Sequence, residues 1–150
     1  MTKVVVLDSE GDGLAYECTK LHVLSYTYDG KAYRSTGAYE EMREVLTQED
    51  TKFVAHNGVR HDMVAFHRIL GIPMDYSKWI DTLALSWFLF PERKKHGLGS
   101  WAEEMGGSKP KVEDWEGLTY EQYKHRCEED TRVNWNLWVY FKKRLDEIYV

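Results

Sequence analysis

Residues 4–10, VVVLDSE, place two carboxylates at the end of an apolar run. Three valines and a leucine in succession suit a short buried strand, expected over residues 3–7. Side chains at i and i+2 share one face of a strand, so Asp8 and Glu10 project together. Two neighbouring carboxylates repel, and a bound cation is a physical reason for keeping them side by side. Two further acidic residues stand in distinctive settings. Asp62 follows a second short apolar strand in AHNGVRHD (55–62), and Asp130 closes HRCEED (125–130) on a long C-terminal helix. Asp130 falls on one helical stripe with Val133, Leu137 and Phe141, whereas Glu128 and Glu129 read as a solvated face. Hard oxygen donors arriving from distant segments suit magnesium or manganese. Two such ions about 4 Å apart can clamp a phosphodiester and activate water for in-line attack.

The remaining elements follow from periodicity and punctuation. Residues 21–28 alternate and predict a second strand; Asp29-Gly30 is a hairpin turn leading to a third over 31–35. A short amphipathic helix is expected over 39–46 and a strand over 53–56, ended by Asn57-Gly58. Residues 63–70 carry apolar side chains at helical spacing, stopped by Gly71 and Pro73. A brief strand at Trp79-Ile80 precedes a helix that Asp81 opens and that ends before Pro91. Another helix spans 98–105, a polar loop 108–117, and Thr119 with Gln122 forms a capping-box pattern opening the last helix, with room for a break along it. Strands alternating with helices in this order predict an α/β domain with a mixed sheet of about five strands flanked by helices.

The chain has 150 residues, 43% of them hydrophobic, enough for one domain, 1–150, with a real core. No apolar run approaches the roughly 20 residues that span a bilayer. The start, MTKVVVLDSE, lacks the pattern of a signal peptide. Cys18 and Cys127 supply neither a disulfide framework nor a zinc cluster. The expectation is a soluble cytoplasmic protein with no membrane partner, in the host cell's cytoplasm if phage-encoded. The net charge of −5 argues against tight nucleic-acid binding through a basic surface alone. It does not exclude a nucleic-acid substrate, because clustered carboxylates supply much of it and divalent ions offset it.

Asp8-Ser9-Glu10, Asn57 followed by His61-Asp62, and Asp130 on the last helix together resemble the three motifs of the DEDD superfamily of 3′–5′ exonucleases. Proofreading domains of phage and bacterial DNA polymerases and several RNA-trimming enzymes belong to it. IDTLALSWFL (80–89) and HGLGSWAEEMG (96–106) resemble exonuclease domains of short phage polymerases, so the resemblance covers nearly the whole chain. It implies a ribonuclease H-like fold and a single exonuclease domain. It also implies hydrolysis of single-stranded 3′ ends of DNA or RNA to nucleoside monophosphates, with two Mg2+ or Mn2+ ions as cofactors. The ligands implied are Asp8, Glu10, Asp62 and Asp130. A separate polymerase or replication protein is the implied partner if the chain proofreads in trans.

Two positions depart from the pattern. His61 replaces the aromatic residue that often precedes the second-motif Asp. In the third motif the Tyr branch places tyrosine four residues before the Asp, here Arg126, and the His branch places histidine five before, here His125. Tyr123 lies seven before and fits neither spacing. An imidazole accepts a proton near neutrality, which favours His125 as general base, with Tyr123 the alternative. Leu14, Tyr16 and Trp101 are candidates to wedge or stack a terminal base. Asn57 either touches substrate or holds the Asp62 turn, and Arg60, Lys109 and Lys111 are candidate phosphate contacts. Asp81 reads as a helix cap. Two other functions remain open: a catalytically weak nucleic-acid-binding or scaffold protein on the same fold, and a structure-selective endonuclease.

Overall fold

The apolar run that opens the chain becomes β1 (Lys3–Gly11), the middle strand of a five-stranded mixed sheet. The computed structural model describes residues 2–105 and 118–149. β2 (Leu21–Thr27) pairs antiparallel with β1, and β3 (Tyr33–Thr36) antiparallel with β2. On the other side β4 (Thr51–Ala55) runs parallel to β1, and β5 (Trp79–Asp81) parallel to β4, giving the order β3-β2-β1-β4-β5. This is the expected α/β class.

β1 continues through Asp8, Ser9 and Glu10 instead of stopping at Leu7. The apolar run ends there, but the ladder does not: Asp8 pairs with Ser25 and Glu10 with Val23. The strand irregularity falls after Glu10, at Gly11, where an added Cβ would meet the Cys18 sulfur at 2.6 Å. Both carboxylates are therefore held on a hydrogen-bonded strand.

Helices cover both faces. Alternate residues Val5 and Leu7 pack with Leu24, Phe53 and Ala55 beneath α1 (Tyr39–Leu46) and α2 (Asp62–Leu70), which contribute Met42, Leu46, Phe66 and Leu70. On the opposite face α5 (Tyr120–Ile148) crosses the sheet: Tyr123 and Cys127 pack on Val23, and Trp138 on Val6 and Val54. Side chains of this size each contribute about 1.5–3 kcal/mol on full burial. α3 (Thr82–Leu89) and α4 (Leu98–Glu104) complete a further core with α5 around Trp101, Leu137 and Phe141.

The local signals read from sequence act as expected at several ends. Asp81 caps α3 by accepting from Leu83 N at 2.9 Å. Thr119 and Gln122 form the reciprocal capping box of α5, which runs its full 29 residues without a break. The expected loop at 108–117, with Lys109 and Lys111, lies outside the described residues. Among the described residues no helix is long and apolar enough to cross a membrane.

The β2–β3 turn shows why glycine stands at position 30. Asp29 Oδ1 accepts from Lys31 N and Ala32 N, and Gly30 adopts φ +73°. A Cβ at this position would run into the indole of Trp135 on α5. Gly30→Ala should lower stability by roughly 2 kcal/mol, read as a reduced urea midpoint with an unchanged slope. An unchanged midpoint would show that neither the left-handed backbone nor the Trp135 contact matters.

Candidate active site

Asp8 and Glu10 leave β1 on the face that α5 covers, and the helix brings Asp130 down to them. Carboxylate oxygens of Asp8, Glu10 and Asp130 all lie within 4.8 Å of one another. Asp130 is buried, and the other two are half-buried. The register of α5 over β1 is tied by Cys127, whose Sγ donates to the Asp8 carbonyl at 3.1 Å and lies 3.6 Å from Asp8 Oδ2. Burial, reinforced by the neighbouring carboxylates, pushes the Cys127 thiol well up, so it stays a protonated donor. Arg126, one turn before Asp130, places Nε 3.8 Å from Glu10 Oε1. Three carboxylates at this spacing form a hard-oxygen donor set that fits a divalent cation such as Mg2+ or Mn2+.

The fourth carboxylate is placed differently from the expectation. Asp62, at the start of α2, is outside the cluster and only 2% exposed, and it accepts from Ser9 Oγ at 2.5 Å. Ser9 lies between Asp8 and Glu10, so its side chain goes to the opposite face of β1. Asp62 therefore reaches the site's strand from behind rather than joining the three. Burial pushes its carboxyl up to about 6 despite the Ser9 hydrogen bond.

Asn57 has φ +62°, and its turn is held by Asp81, which accepts from Asn57 N at 2.8 Å and Val59 N at 3.3 Å as well as capping α3. Asp81 is thus a backbone anchor. Asn57 Oδ1 is buried without a hydrogen-bond partner, and Arg60 is exposed.

Beside Glu10 opens a cleft of about 710 Å³ lined by Leu14, Lys20, His22 and Tyr123 among others. Leu14 and Tyr16 are largely exposed. Asp12 shapes the cleft wall by accepting from Thr19 through side chain and backbone and from Lys20 N, which holds its carboxyl well below the usual range. The His22 ring stacks on Tyr123 with centroids 4.2 Å apart. Burial, then Lys20, keep His22 below its ordinary value, so the ring is neutral at neutral pH.

Two assignments are corrected. Trp101 is 1% exposed, donates Nε1–H to Ser86 Oγ at 2.8 Å and packs edge-on against Phe90 and Phe141; it is core and cannot stack a base. His125 is exposed. On an unbroken helix, at about 100° per residue, five positions turn it about 140° away from Asp130. Seven positions bring Tyr123 to within about 20° of Asp130's direction, which is why it reaches the cleft and His125 does not. Cys127, Ser9 and His22 join the site without any motif in the sequence to mark them. Only strand alternation and the helix register of Asp130 point to the first two.

The chain is 36% identical over 114 residues to the PolC-type DNA polymerase III of Mycoplasma genitalium. The match covers 73% of this chain but 7% of that protein, so the chain spans a small part of its curated relative. Brucella melitensis NrnC with bound Mg2+ superposes with a TM-score of 0.75 at 18% identity, over 98% of this chain and 75% of NrnC. Escherichia coli RNase D, an exoribonuclease, superposes with 0.63 at 18% identity, over 95% of this chain and 40% of RNase D. The chain shares its fold with these two proteins. No family model matches it. Within this fold, the Asp-x-Glu pair on β1 and the Asp on the last helix are the acidic positions brought together among the described residues.

The raised Asp62 carboxyl has a pH signature. Its folded value, about 6, lies above the unfolded one. The contribution of the protonated form to stability is complete below about pH 4 and is lost as pH rises through about 6. Asp62→Asn keeps an oxygen for Ser9 but cannot ionise. In metal-free buffer it should stabilise the fold by about 3 kcal/mol at pH 8 and by roughly half as much at pH 5. Equal gains in melting temperature at both pH values would contradict the burial of an ionisable Asp62.

Proposed function

We propose that the chain is a metal-dependent 3′–5′ exonuclease that hydrolyses single-stranded 3′ ends of DNA or RNA to nucleoside monophosphates. The observation that carries this reading is the convergence of Asp8, Glu10 and Asp130 beside an open cleft on the DEDD fold. These three residues would hold the divalent ions, two in number, with Asp62 supporting the same strand through Ser9. When bound, such ions supply Lewis-acid activation of water and stabilisation of the leaving 3′ oxygen.

The protein's own groups do the positioning. Cys127 and Arg126 fix Asp8 and Glu10 from the helix side. Leu14, which lines the cleft, and the exposed Tyr16 two residues on offer apolar and aromatic surface to a terminal base. Tyr123, lining the cleft beside Glu10, would orient the reacting end. With a net charge of −5, grip on the strand depends on metal and local contacts rather than a basic surface. Brucella melitensis NrnC has also been solved bound to pGG, which supports a short single-stranded ligand here. The polymerase match is consistent with a proofreading role.

The test is a product time course on matched end-labelled DNA and RNA oligomers with Mg2+ or Mn2+. Stepwise loss from free 3′ ends, with 3′-blocked and circular strands left intact, is expected. Cutting of circles would instead favour a structure-selective endonuclease, and metal-independent binding without cleavage a binding protein. Asp8→Ala and Asp130→Ala should each abolish cleavage while far-UV circular dichroism stays unchanged; full activity in either sinks the metal-site assignment.

Tyr123→Phe should lower turnover by roughly 10²-fold, whereas His125→Ala should stay near parental. The reverse outcome would return the role to His125.

A further inference from the structure

At the position where the Tyr branch of the superfamily carries a neutral tyrosine, this chain has Arg126. A guanidinium there is permanently charged. Arg126 is 9% exposed, and its Nε lies 3.8 Å from Oε1 of Glu10, whose own side chain is only 16% exposed. The two meet across the α5–β1 interface, and Glu10 belongs to the three-carboxylate cluster. A buried guanidinium is costly unless it faces opposite charge, and clustered carboxylates are costly unless they face a cation. Each offsets the other's cost.

We propose that Arg126 is a built-in counter-ion of the carboxylate site: it positions Glu10 before any metal arrives and lowers the site's affinity for divalent cations. This rests on reading Asp8, Glu10 and Asp130 as metal ligands. A positive charge in contact with one ligand reduces the negative potential that draws in a second cation. The metal-free site stays assembled, and an incoming ion must share Glu10 with the guanidinium. Removing the charge therefore moves two quantities in opposite directions. The metal-free protein loses stability, and metal binds more tightly. An arginine that merely filled space would not improve metal binding when lost.

The experiment is a Mn2+ titration of the full chain, by isothermal calorimetry and by the metal-dependent rise in melting temperature. It compares the parent with Arg126→Met, Arg126→Lys and Asp8→Ala. Arg126→Met should melt lower without metal, yet its half-saturating Mn2+ concentration should fall by roughly tenfold, the size of a moderate charge–charge coupling. Arg126→Lys, which keeps the charge, should stay within roughly threefold of the parent. If the Met variant does not fold without metal, its Mn2+-dependent refolding by circular dichroism gives the same half-saturation. Arg126→Gln carries the same expectation if the Met variant stays unfolded. Equal or weaker Mn2+ binding in the neutral variants overturns the proposal, while Mn2+ binding by the parent that Asp8→Ala abolishes leaves the metal-site reading standing. If Mn2+ binds none of these proteins, both fall.

Discussion

Carboxylate oxygens from three residues, all within 4.8 Å of one another, cannot be brought together by their own interactions. Ionised, they repel, and burial adds a desolvation cost. The structure places them at the contact between a central strand and the longest helix, where apolar packing on either side imposes the geometry. Cys127 and Tyr123 on Val23, and Trp138 on Val6 and Val54, bracket Asp130 along α5. The cost of the cluster is met by that packing and by one buried guanidinium.

A second set of polar contacts joins the end of β4 to α3 and α5. His56 at the end of β4 contacts Thr82 Oγ1 at 2.9 Å and the His96 carbonyl at 3.0 Å, and Thr82 donates to Asn134 Oδ1 on α5 at 2.7 Å. Asp81 holds the Asn57 turn through backbone amides. The N-terminus of α3 thus links β4, the turn before α2, and α5. His56, Thr82 and Asp81 each have polar partners here, and Asn134 is paired through Oδ1 while its buried Nδ2 is not. The same turn leads into α2 and sets where Asp62 enters.

The differences between the expected and observed site share one geometric origin. Sequence spacing ranks His125 and Tyr123 by their distance from Asp130, but a helix sorts residues by angle. His125 turns outward and Tyr123 turns in. The resemblance offers Trp101 as a candidate to stack a base; it sits instead where α3, α4 and α5 close on one another. The motif order puts Asp62 beside Asp8 and Glu10, but the Ser9 side chain that meets it lies on the other face of β1. In each case the residue type is informative and its direction is not.

By itself the sequence determined what depends on local pattern. The apolar run of β1, the Asp29-Gly30 turn, the Asp81 cap and the Thr119–Gln122 capping box were all legible, because neighbouring residues specify them through strand alternation, turn conformation and orphan backbone donors. The pairing of Asp8 with Glu10 was legible for the same reason: two residues apart on a strand means one face. Only the tertiary structure decided which distant groups meet. The contacts of Cys127 with Asp8, Arg126 with Glu10, Ser9 with Asp62 and His22 with Tyr123 depend on how α2 and α5 settle on opposite faces of the sheet. That settling is driven by the fit of side chains such as Trp138, Phe66 and Leu137 into shared cores, a property of the assembled surfaces rather than of any one segment.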